Sequence, residues 1–196
     1  MGDYFERVVD LDVAQEEAPE LGARLVDWLV AEQIVTRQTD ATGVYSLYVN
    51  EGHVPGPHWP RAVADAGWEP GPLAVVTGRH HHVAGQGEDD AEYVDCPRCG
   101  ARTTFIDYPA SFEADPALWG PFRAAVETWE ATGRGSAVCR SCGAASPVTE
   151  WRWPDAYALG ALTFEFWGWP PLSDTFVAEL SDRLGRHRTA RHTGKF

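Results

Sequence analysis

The sequence predicts an α+β protein: a split βαβ sheet domain assembled from both ends of the chain, with a module inserted between them that carries an extra helix. Three observations predict it. A strand pattern followed by an amphipathic helix and further strands opens the chain, and strand–helix–strand order returns at its end. Between these, all four cysteines fall in two short turns, Cys96-Pro97-Arg98-Cys99-Gly100 and Cys139-Arg140-Ser141-Cys142-Gly143. An acidic, glycine-containing break at Gly85–Asp90 sets off that region. The expected domains are therefore residues 1–89 with 151–196, a discontinuous sheet domain, and residues 90–150, the insertion.

Val8–Val13 mixes apolar and acidic residues as an opening strand does. Pro19 suits a first helical turn, and Leu21, Leu25, Trp28 and Leu29 recur at helical spacing, so residues 18–32 read as a helix. Ile34–Arg37 and Val44–Val49 read as short strands on either side of a turn at Thr39–Gly43. Residues 51–60 hold three prolines and two glycines and read as loop, followed by a short helix over Pro60–Ala66. Leu73–Thr77 and His80–Ala84 read as a hairpin turned at Gly78.

Inside the insertion, Tyr93–Val94 leads into the first cysteine turn and Thr103–Ile106 leads out. Residues 115–131 read as a helix: Asp115 caps it, Pro116 starts it, and Leu118, Phe122, Val126 and Trp129 make an apolar stripe. Ala137–Val138 enters the second turn, and Val148–Trp153 reads as the returning strand. Leu162–Trp167 is a strand with Leu162, Phe164 and Phe166 on one face. Asp174–Leu184 is a helix capped by Ser173, and Arg186–Thr193 closes the chain as a basic strand.

Composition narrows the function. The 196 residues are 44% hydrophobic and 12% aromatic, enough for a core, and the net charge is −13. That balance disfavours broad binding to a phosphate backbone, which Lys and Arg drive by releasing counterions, and suits a basic partner. The acids crowd the N-terminus and Glu88–Asp95, whereas after Asp182 only basic charges follow, so a basic end strand packed on an acidic body is expected. Lys195 is the sole lysine, which removes lysine-dependent phosphate loops and Schiff-base chemistry from consideration. No apolar run is long enough to cross a membrane, the N-terminus is acidic, and no cysteine is left over, so a cytoplasmic protein without membrane contact is expected.

Two residues between thiols let both sulfurs point into one turn, and the following glycine permits the left-handed backbone that aims amide N–H groups at them. Two such turns facing each other make a closed tetrahedral thiolate site, so Cys96, Cys99, Cys139 and Cys142 are the predicted metal ligands. Over about residues 93–150 these knuckles resemble those of zinc ribbons, with an insertion between them that the 115–131 helix accounts for. They are also similar to the knuckles of rubredoxins, which hold iron in the same four-thiolate tetrahedron. The resemblance implies Zn2+, with Fe as the alternative. Ionised thiolates also need hydrogen-bond donors, for which the backbone amides after each knuckle and Arg98, Arg102 or Arg140 are the candidates. The remainder resembles only uncharacterised actinobacterial proteins in its acidic, arginine-rich style.

His80 and His82 would share a face of a strand and are candidates for a second metal site with His53 or His58 and a carboxylate from Glu88–Asp90. An exposed strand end is the simpler reading. No G-x-S-x-G elbow occurs, and Gly85-Gln86-Gly87 and Gly133-Arg134-Gly135 lack the third glycine of a dinucleotide loop. Trp151, Trp153, Trp167 and Trp169 are expected to be core. The expected function is a non-enzymatic, zinc-stabilised binding or adaptor protein that contacts a basic protein partner, an immunity- or antitoxin-like inhibitor being one concrete version. The alternatives are a rubredoxin-like electron carrier, a nucleic-acid-binding ribbon using the arginines and the basic tail, and a metalloenzyme built on His80 and His82.

Overall fold

A computed structural model of the chain describes residues 4–84 and 90–195, and the fold is α+β. It divides into two compact units, the first comprising residues up to Gly78 and from Gly160 onward, the second Arg79–Leu159. The expected Gly85–Asp90 break, and with it Gly85-Gln86-Gly87, Glu88 and Asp89, lies outside the described residues except for Asp90.

The first unit is built on a six-stranded sheet. Its strands are β1 (Tyr4–Asp10), β2 (Val35–Asp40), β3 (Gly52–Pro55), β4 (Leu73–Val83), β9 (Tyr157–Trp167) and β10 (Thr189–Lys195), in the order β10-β1-β9-β4-β3-β2. β1 lies antiparallel between β10 and β9, pairing Val8 with both Arg191 and Phe164. Every residue of β9 is buried, as a central strand covered on both faces requires. Strands β4 and β9 carry the chain into the second unit and back.

Two helices cover one face of this sheet. α1 (Ala18–Ala31) turns Leu21, Leu25 and Leu29 inward, and α3 (Asp174–Arg183) adds Phe176 and Leu180, with Val8, Leu162, Phe164 and Phe166 beneath them. Ser173 caps α3 by accepting the Phe176 N–H at 3.2 Å. On the other face Phe5, Ala74 and Trp167 pack with Val44 and Val49. The basic end of the chain answers the acidic start: Arg188 donates to Asp12 at 2.6 Å and Arg191 to Glu6.

The second unit holds two short hairpins and a helix. β5 (Tyr93–Asp95) pairs with β6 (Arg102–Thr104), and β7 (Ser136–Val138) pairs with β8 (Ala145–Pro147). Between them runs α2 (Pro116–Thr132), where Asp115 accepts the Ala117 N–H at 2.8 Å and Gly133, at φ 76°, stops the helix. Trp119, Phe122, Val126 and Trp129 form its buried stripe with Phe105, Trp151 and Tyr157. Asp90 ties the start of the unit to α2, accepting from Trp119 Nε1 at 2.6 Å and from Arg123.

Five local expectations are corrected. Gly78 does not turn a hairpin: β4 runs straight through it, with the residue at φ 107°, a conformation open to glycine, and the strand stays paired to β9. Val44–Val49 is not a strand, because Val44 and Val49 fold down onto Trp167, and its place beside β2 is taken by β3. β3 arises within the stretch read as loop, its proline falling at the strand's last position where it disturbs little. Val148–Trp153 is a 3-10 turn at Val148–Glu150 rather than a strand, with the Trp151 and Trp153 indoles donating back to Ser146 O and Val148 O. The helix expected over Pro60–Ala66 shortens to a 3-10 turn at Trp59–Ala62.

Candidate metal centre

Each cysteine turn sits at the tip of a hairpin, and the two are built alike. In the first, between β5 and β6, the Gly100 N–H donates to Cys96 O at 2.9 Å and the Cys96 N–H to Ala101 O at 3.0 Å. In the second, between β7 and β8, the Gly143 N–H donates to Cys139 O at 2.8 Å and the Cys139 N–H to Ala144 O at 2.9 Å. Gly100 and Gly143 lie at φ 73° and 71°, where a side chain is strained. Sequence spacing thus becomes the same backbone loop twice.

Face to face, these loops bring the four Sγ atoms within 4.8 Å of one another. Cys96 and Cys142 stand 3.9 Å apart, and Cys99 and Cys139 3.8 Å. A tetrahedron with metal–sulfur bonds of about 2.3 Å has sulfur–sulfur edges of roughly 3.8 Å, so the residues present fit such a metal. One cysteine of each turn is buried (Cys96, Cys139) and one is exposed (Cys99, Cys142).

The electrostatics favour thiolate at one position and resist four bare thiolates together. The Cys142 and Ser141 N–H groups, against burial, bring the Cys139 thiol down to about 6. At Cys99 the Ala101 N–H pulls downward, yet burial and the neighbouring thiols Cys142, Cys96 and Cys139 push the group up to about 12. Four close sulfurs compete for a few N–H donors, and a divalent cation at their centre relieves that competition. The Arg98 N–H adds a donor to Cys96 Sγ at 3.4 Å.

Of the arginines expected around the sulfurs, Arg102 acts differently. Arg102 grips Asp95, its register partner across β5 and β6, through two hydrogen bonds of 2.8 and 2.9 Å, and its guanidinium lies 3.6 Å over the Tyr93 ring. That clamp closes the hairpin below the first turn. Arg152 was missed: it exchanges backbone hydrogen bonds with Asp95 and reaches Cys96 O at 3.5 Å. The signal for the clamp was present in sequence as opposite charges flanking the cysteine turn, whereas Arg152 carried none.

His80 and His82 do share a side of β4, with ring centroids 6.3 Å apart, and His82 is buried. Among the described residues the four cysteines are the only group of three or more His, Cys, Asp or Glu donors that converge. His53 Nδ1 meets Thr36 O at 3.2 Å and His58 Nδ1 meets Glu32 O at 3.3 Å. His81, between the two candidates, has Nδ1 2.8 Å from Glu130 Oε1 and stacks on Tyr157. Trp151, Trp167 and Trp169 are buried in the cores. Among the described residues the large apolar side chains left exposed are elsewhere: Tyr45, Leu47, Trp68, Tyr108, Phe112 and Val138.

The chain matches no protein-family model, no curated protein and no solved structure. Among the described residues no helix is long and apolar enough to cross a membrane.

Proposed function

We propose that the protein is a zinc-stapled, non-enzymatic binding protein that acts by contact with a basic protein partner. The observation that carries this reading is the convergence of all four cysteine sulfurs within 4.8 Å. Cys96, Cys99, Cys139 and Cys142 fill a tetrahedral coordination shell, so a metal held there has no open position for water or substrate and supplies folding energy instead. The net charge of −13, together with large apolar side chains standing in solvent, supports contact with a cationic protein surface. An immunity- or antitoxin-like inhibitor is one concrete version of this reading.

Elemental analysis of the purified protein tests the metal: one zinc per chain and a colourless solution are expected. A red protein with visible charge-transfer absorption makes it an iron electron carrier, and two metals per chain bring His80 and His82 back as a second site. Affinity capture tests the partner, with a basic protein expected and recovery of nucleic acid alone counting against it.

A further inference from the structure

The loops of the first unit leave three large side chains in solvent: Leu47 is 81% exposed, Trp68 53% and Tyr45 45%. Tyr45 and Trp68 both reach the end of β9, and Leu47 lies between Val44 and Val49, which pack there. The Tyr45 ring stands edge-on to Trp167 with centroids 5.8 Å apart, and Trp68 Nε1 donates to the next residue, Gly168, at its carbonyl oxygen, 2.8 Å away. The loops themselves are pinned at the same place, Val44 packing on Trp167 and the Gly71 N–H donating to Trp167 O at 2.9 Å. The patch therefore rests on the end of the central strand β9, a rigid support, and its amphipathic rings are the types that anchor protein contacts.

Charge says what it meets. Residues 38–60 and 62–78, which supply both loops, contain no lysine or arginine, while Asp40, Glu51, Asp65 and Glu69 are all exposed there. The one arginine between these stretches, Arg61, is held by Glu32 at 2.7 Å. Apolar side chains on loops whose exposed charges are carboxylates and the paired Arg61 are complementary to an apolar segment flanked by cations. The protein's own C-terminal arginines do not provide that segment, since Arg186, Arg188 and Arg191 are paired with Asp182, Asp12 and Glu6.

We propose that Tyr45, Leu47 and Trp68, carried on loops whose exposed acids are Asp40, Glu51, Asp65 and Glu69, form the docking surface for an apolar, arginine- or lysine-flanked segment of a protein partner. This rests on the binding-protein reading above and gives it a location and a chemistry.

The test is an NMR titration of the zinc-loaded, full-length protein with a short peptide alternating leucine and arginine, against a control alternating leucine and glutamate. The Trp68 indole N–H and the amides of residues 44–49 and 65–70 are expected to shift saturably. The glutamate control is expected to bind at least about tenfold more weakly. Leu47→Ser, at a side chain 81% exposed, is expected to weaken the arginine peptide by about fivefold or more. Charge reversal at Glu69→Lys, also exposed, is a second variant with the same expected direction. Shifts confined to other surfaces, such as the loop bearing Phe112, overturn this location, as does equal binding of the two peptides or no binding. A dimer that Leu47→Ser dissolves overturns the foreign partner in favour of a second copy. Metal content and capture of a basic protein decide the broader reading independently.

Discussion

Arg191 on β10 closes over Glu6 on β1, a carboxylate with no solvent exposure whose other oxygen accepts the Leu172 N–H at 2.8 Å. The guanidinium reaches onward to Leu172 O at 2.7 Å and Asp174 at 3.1 Å. One side chain thus joins the end strand, the first strand and the start of α3. Arg191→Ala leaves Glu6 buried without its counter-charge, at an expected cost of about 3 kcal/mol in urea unfolding. Arg188→Ala, whose side chain is 73% exposed, should cost less than about 1 kcal/mol. Equal costs would show that the Glu6 pair is no more than a surface bridge.

The Arg188–Asp12 pair sets an acid response. Hydrogen bonds from the Arg188 side chain hold the Asp12 carboxyl below its ordinary value of 3.8. A carboxyl whose folded value is lowered contributes its full stabilisation above 3.8 and loses it as pH falls through the lowered folded value. The pair therefore changes nothing near neutrality, and the contribution, discounted for exposure, is about 0.5 kcal/mol. Carboxyl NMR titration should place Asp12 below 3.8 in the native chain, and Arg188→Ala should return it upward. Asp95, lowered by the Arg102 side chain, should behave likewise in Arg102→Ala.

Metal removal should act on the second unit. Its core of Trp119, Phe122, Trp129 and Trp151 encloses both Cys96 and Cys139. A strong chelator, or Cys139→Ser, is expected to abolish near-UV circular dichroism from these indoles and the helicity of α2. A chelated protein with unchanged spectra would mean that packing alone holds the knuckles together.

Two glycines make opposite predictions. A Cβ on Gly135 would lie 1.8 Å from Ala125 O, so Gly135→Ala forces α2 and β7 apart and should cost about 1–3 kcal/mol or more. Gly120, inside α2, faces nothing within 4 Å, and Gly120→Ala should stabilise by about 0.5–1 kcal/mol. Thermal unfolding of the two variants should shift in opposite directions.

Long, strongly periodic elements were legible without coordinates. α1, α2 and α3 follow from apolar spacing with Pro19, Asp115 and Ser173 at their starts, because a helix face and its cap are local properties. Segments whose partner lies far along the chain were not. Val44–Val49 has strand composition but is drawn onto Trp167, and Gly52–Pro55 looks like a loop yet pairs with both β2 and β4. The exposed Leu47 and Trp68 were equally hidden, since nothing in an apolar residue's own neighbourhood tells whether another element will cover it.

By itself the sequence determined the two cysteine knuckles, because two intervening residues and a trailing glycine dictate a loop's backbone wherever it occurs. It also determined the helices and the excess of acid. Only the tertiary structure decided that the two knuckles meet with sulfurs 3.8 and 3.9 Å apart across residues 100–138, and that Arg191 finds Glu6. Both are contacts between distant parts of the chain, set by how strands register and cores close rather than by any local preference.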